Sequence, residues 1–182
     1  MSRRDRRGKP ALERVREALS AFGMEDRVVE LPSSTHTAQE AAQQVGVSLG
    51  QIAKSLVFLG AGEPILVIAS GANRVSQEKL RDRLGLETRR ADADEVRQAT
   101  GFAIGGVPPL GHSSRLRTLI DEDLMAYQDI YAAAGTPKAV FRLSPQELLR
   151  ITGGELMDLR EEPERGSERR GGKEHGLQQD PA

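Results

Sequence analysis

Two groups in this sequence combine residue types and spacing that suit chemistry. The first is Lys54, in IAKSLVFL. It shares strand parity with Ile52, Leu56 and Phe58, so period-2 alternation turns its side chain toward the apolar face. A buried ammonium is costly unless paired. The lysine therefore either snorkels to solvent past its neighbours or serves as a fixed cation that binds a phosphate or orients a substrate carbonyl. The second group is GFAIGGVPPLGH, residues 101–112, with four glycines, two prolines and one titratable side chain, His112. Gly105 and Gly106 permit backbone conformations closed to other residues, and Pro108 and Pro109 stiffen the end of the segment. The segment reads as a rigid loop working through backbone N–H and C=O groups, or as a tight helix-to-strand connection. It has no GK[ST], which excludes a Walker A loop, and Gly101, Gly105 and Gly106 do not fit the dinucleotide fingerprint.

Other chemistries find less support. The chain has no cysteine, which excludes disulfides, thiol catalysis and cysteine-ligated zinc. His36, His112 and His175 lie far apart without metal-ligand spacing, so neither metal nor cofactor is expected. His36, just before a helix, and His112, at the loop's exit, are each a general-base candidate or a polar surface or capping residue. No Ser-His-Asp or paired-carboxylate pattern is visible. A net charge of −1 decides nothing about nucleic acid. Locally, Arg74, Lys79, Arg81, Arg83, Arg89 and Arg90 cluster, with Arg115 and Arg117 after the glycine segment. Interleaved Glu78, Asp82 and Glu87 favour a solvated mixed-sign face over a phosphate surface.

These groups need elements to position them. ALERVREALSA predicts a helix over 11–21, started by Pro10. RVVEL predicts a short strand, stopped by Pro32. Thr37 and Glu40 form a capping box for a helix over 38–45, with Gly46 behind it. Strands are expected at 52–59 and 64–69, joined as a hairpin through 60–62. SQEKLRDRLG and DADEVRQATG predict helices around the brief strand ETRR. RTLIDEDL, YQDIYAAAG and KAVFRLS predict three strands, SPQELLRITG a capped helix, and GELMDL a final strand. Strands cluster instead of alternating with helices, so the fold class is mixed α/β, with a mixed or largely antiparallel sheet surrounded by helices.

At 182 residues the chain suits one domain. Residues 1–10 are mostly basic and 161–182 almost without apolar side chains, so both are expected as disordered tails around a core of 11–160. No apolar run is long enough to span a bilayer and no signal-peptide h-region is present, so a cytoplasmic protein is expected.

TAQEAAQQVGVSLGQIAKSLVF, GANRVSQEKL and TGFAIGGVPPLGH, in that order, resemble the YbaK/EbsC family, whose members look like the editing domain associated with prolyl-tRNA synthetase. The similarity spans about 26–159 and includes SPQELLRITGGELMDL. It implies a barrel-like curved sheet and a trans-editing deacylase that hydrolyses the ester at the 3′ end of a mischarged tRNA, often tRNA for proline. The family's lysine falls on Lys54 and its G-x-x-x-P loop on Gly105–Pro109, making Lys54, Gly105 and Gly106 the implied catalytic residues. Thr37, Ser55, Asn73, Arg74, Val107, Pro108, Pro109, Gly111 and His112 are the implied substrate-binding residues. Some relatives have threonine where this chain has Ser55. A late acidic residue of cysteine-specific members is replaced near Phe141, which argues against cysteinyl-tRNA. The implied partners are the aminoacyl-tRNA 3′ end and prolyl-tRNA synthetase. A non-catalytic binding module or a regulatory partner of a synthetase remain the alternatives, and the oligomeric state is open.

Overall fold

A computed structural model describes the chain over residues 8–163. The expected tails lie outside the described residues except for 8–10 and 161–163. There, Lys9 pairs with Glu17, Glu161 with Arg74, and Glu162 with Lys79.

Helix α1 spans Ala11–Ser20 and turns Val15 and Leu19 inward from Pro10 at its N-cap. Strand β1 is Val28–Glu30, and α2 is Ala38–Val45. The Thr37 hydroxyl caps α2 by accepting from the Glu40 N–H, and Gly46 ends it in the left-handed region. Strands β2, Ile52–Gly60, and β3, Glu63–Ser70, form the hairpin. Ala61 and Gly62 both take positive φ at its turn, at 50° and 82°, which suits the right-handed twist of the flanking strands.

The chain continues through α3 (Gln77–Leu84), β4 (Thr88–Arg90) and α4 (Ala93–Thr100) to the glycine segment. Beyond it come β5 (Arg117–Asp121), β6 (Ile130–Ala133), β7 (Ala139–Leu143), α5 (Pro145–Thr152) and β8 (Glu155–Met157). The strand expected over RTLIDEDL stops early. Asp121 turns its carboxylate onto the Asp123 N–H and starts a 3-10 helix at Glu122–Ala126.

The eight strands form one sheet in the order β1-β7-β6-β2-β3-β5-β8, with β4 also on β2. The β1–β7, β2–β3, β2–β4 and β6–β7 pairings are antiparallel, and the β2–β6, β3–β5 and β5–β8 pairings are parallel. This is the mixed sheet that strand clustering predicted. Strand β3 is buried on both faces. Leu66 and Ile68 join a core with Val15, Leu19, Val96 and Leu148, while Ile65 and Val67 join Phe58, Leu80 and Leu119. Helices α1, α4 and α5 therefore contribute to the first core and α3 to the second. Burying one leucine such as Leu80 contributes roughly 1.5–3 kcal/mol.

Candidate active site

The site lies where the sheet divides. Along one edge, β2 pairs with β3 over its length. Along the other, it meets β6 only at Ile52 and Ala53 and β4 only at Phe58–Gly60. Residues 54–57 thus face a gap between two diverging strands. The Val57 carbonyl accepts from Ala91 N–H at 3.0 Å at the far side of the gap. Peptide groups of a strand alternate between its edges, so the Ser55 N–H and C=O face the same gap.

A cavity of about 350 Å³ fills this fork. Its wall is mainly apolar, with Ile52, Ala53, Val57, Val96, Ala133 and Val140 among the lining residues. The first turn of α2 closes one side with His36, Thr37, Ala38 and Ala41. Phe141, by contrast, is fully buried in the main core while its neighbour Val140 lines the cavity. Ser55 Oγ is buried at this wall without a hydrogen-bond partner among the described residues.

Lys54 is half-buried at the junction between this cavity and an adjoining open cleft, which Arg74, Lys79 and Arg90 also line. Its Nζ donates to the Asn73 carbonyl at 2.6 Å. Burial pushes the Lys54 ammonium below its ordinary value. The charges of Arg90 and Arg74 push the same way, and that of Asp121 opposes them. Among the described residues no carboxylate pairs with this amine.

The glycine segment supplies the opposite wall through Ile104, Gly105 and Val107. Gly105 has φ +88°, while Gly106 packs so closely on the next loop that a Cβ would lie 2.8 Å from the Gly135 carbonyl oxygen. The Gly106 N–H donates to the Ala103 carbonyl at 3.1 Å and so closes the turn. The amides of Gly105 and Val107 have no protein acceptor among the described residues. His112 is half-buried away from the cavity. Its Nε2–H donates to the Pro108 carbonyl at 2.7 Å, and burial pushes its imidazole below the ordinary value.

Of the residues singled out from sequence, the fold brings Thr37, Lys54, Ser55, Gly105 and Val107 to one cavity. Arg74 lies in the adjoining cleft, and Asn73 holds Lys54 from behind. Gly106 and Pro108 support the loop without lining the cavity, while Pro109, Gly111 and His112 line a separate groove. Arg90 was legible only as part of a charge run. Strand alternation in β4 was the unused signal: Arg89 pairs with Glu95 at 2.7 Å, whereas Arg90 lies 5.3 Å from the Phe58 ring centroid and lines both cavity and cleft.

The apolar cavity thus opens past one amine into a cleft that Arg74, Lys79 and Arg90 share with Glu78, Asp82, Glu161 and Glu162. The chain belongs to the aminoacyl-tRNA editing domain family, which matches residues 32–151. The uncharacterized protein YwhH of Bacillus subtilis (strain 168) is 35% identical over 139 residues, 76% of this chain and 88% of the relative. A protein of Enterococcus faecalis (strain ATCC 700802 / V583) named "Putative Cys-tRNA(Pro)/Cys-tRNA(Cys) deacylase EbsC" is 25% identical over 125 residues, 68% of this chain and 76% of that protein. The crystal structure of "a putative trans-editing enzyme for prolyl tRNA synthetase" has a TM-score of 0.80 and 50% identity, covering 85% of this chain and 99% of that one. Among the described residues no helix is long and apolar enough to cross a membrane.

Proposed function

We propose that this protein is a trans-acting deacylase that hydrolyses the ester of a mischarged tRNA in the cytoplasm, with tRNA for proline carrying a small wrong amino acid as its substrate. The observation that carries this reading is the position of Lys54, shared by the apolar cavity and the polar cleft of mixed charge. The amino-acid side chain would enter the cavity, the terminal sugar and phosphate would follow the cleft past Arg90 and Arg74, and the ester would sit at Lys54.

An aminoacyl ester is already activated, so positioning and charge stabilisation suffice. Water adds to the carbonyl carbon, and the Lys54 ammonium and the loop amides of Gly105 and Val107 stabilise the oxyanion. Collapse breaks the bond to the ribose oxygen, which takes up the proton and leaves as the tRNA hydroxyl. The amino acid departs. The Ser55 peptide would hold the substrate across the gap. Ile52, Val57, Val96 and Val140 bound the cavity and set a size limit, although each extra methylene discriminates by only about 1–3 kcal/mol. A synthetase for proline is the protein partner this reading calls for.

A panel of tRNAs charged with alanine, serine, cysteine and threonine tests the reading. At least one is expected to be deacylated faster than in buffer. Tight binding of charged tRNA with no turnover on any of them would instead identify a binding module.

A further inference from the structure

The group that holds Lys54 is itself held. The Asn73 side-chain amide donates one hydrogen to Asp121 Oδ2 at 2.8 Å and the other to Asp123 Oδ2 at 2.8 Å. Asp121 is fully buried. Its Oδ2 also accepts from the Ser70 N–H at 3.0 Å, and its Oδ1 accepts from the Asp123 N–H at 3.1 Å. Ser70 in turn donates its hydroxyl to the Gly50 carbonyl at 2.8 Å. The turn between β3 and α3 is thus tied to the end of β5 and to the start of β2.

All three donors to Asp121 are neutral. The nearby arginine, Arg160, pairs instead with Asp123 at 3.7 Å. A buried carboxylate served only by neutral donors is costly, although its two oxygens accept three hydrogen bonds where asparagine would offer one acceptor oxygen. Its cationic counterpart stands one residue away, across Asn73, at Lys54.

We propose that Asp121, which lines neither the cavity nor the cleft, is a positioning residue that fixes the Lys54 amine through the Asn73 peptide and opposes the cations around it. The significance for catalysis rests on the deacylase reading above; the placement of Lys54 does not. Charged groups bear on Lys54 from three elements: Arg90 from β4, Arg74 from the turn after β3, and Asp121 from the end of β5. His36 and Tyr131 line the same cavity from α2's entry and from β6. The charge of Asp121 favours the ammonium; burial and both arginines disfavour it.

The test is an NMR titration of Lys54 in the full chain, with 13C at the lysine ε-carbon, beside a pH profile of deacylation. Asp121→Asn removes the charge and, with the cap kept on one oxygen, turns a donor toward Ser70 and Asn73, so the Lys54 midpoint should fall by about one pH unit. The alkaline limb of kcat/KM should move down with it, and the maximum rate should drop roughly 10- to 100-fold from misplacement of the amine. Should that variant not fold, Asn73→Ala leaves the carboxylate in place and unties the peptide. It should also lower the Lys54 midpoint, because a hydrogen bond to the charged form is loosened. An unchanged Lys54 midpoint in a folded variant overturns the proposal. If the native protein hydrolyses no mischarged tRNA, the titration still decides the role of Asp121, so the two failures are distinguishable.

Discussion

Gly105 and Gly106 are neighbours under different constraints, and substitution should separate them. Open space surrounds the Gly105 Cβ position, but φ is +88°, so a β-branched residue there meets backbone strain of roughly 1–2 kcal/mol. At Gly106 the obstacle is the Gly135 carbonyl oxygen, 2.8 Å from an added Cβ, and backbone cannot swing away as a side chain does. Gly105→Val should lower deacylation more than thermal stability, because it reshapes a cavity wall. Gly106→Ala should lower both, because it forces two loops apart. Thermal denaturation beside single-turnover rates checks this, and equal effects of both variants would contradict it. The inward direction of Lys54 was readable from its parity with Ile52, Leu56 and Phe58. That the Gly106 amide is engaged by Ala103 was not, since a glycine-rich string does not say which of its N–H groups stay open.

Strand β4 places two adjacent arginines in opposite roles. Arg89 forks onto Glu95 through both terminal nitrogens, at 2.9 and 2.7 Å, at the start of α4. Arg90 faces the other way, over Phe58 and into the cleft. Arg90→Ala should weaken tRNA binding across sequences and reduce the salt slope by about one phosphate contact. Arg89→Ala should leave binding unchanged. A filter-binding salt series on both variants tests the division, and equal slopes for the two would refute it. Read as a charge run, ETRR looked like one solvated face; alternation along a strand paired with β2 sets Arg90 apart. Caps were more legible than strand ends. Ser144 caps as its spacing predicted, because caps are local; at Thr37 only half of the expected box forms, since the Glu40 carboxylate accepts from the His36 N–H instead. The overrun of β5 came from Asp121, whose inward partners lie about fifty residues away in sequence.

At the scale of the whole molecule, the site exists because β2 keeps two incomplete partners on one edge. Those partners, β4 and β6, come from distant parts of the chain, so no local pattern announces the fork. The mixed sheet was legible from strand clustering, whereas its order was not. Helix α1 lies before the family-matched residues 32–151 yet braces the glycine-rich loop. Arg14 donates to the Gly101 carbonyl at 2.8 Å and lies 4.3 Å from the centroid of the Phe102 ring. Loop, fork and hairpin then converge on a single amine. Single-turnover hydrolysis of the best mischarged tRNA by the native protein and by Lys54→Ala tests that convergence most directly. The account predicts a loss of about 10²–10³-fold with an unchanged circular dichroism spectrum. A folded Lys54→Ala variant that hydrolyses the ester at the native rate would contradict it.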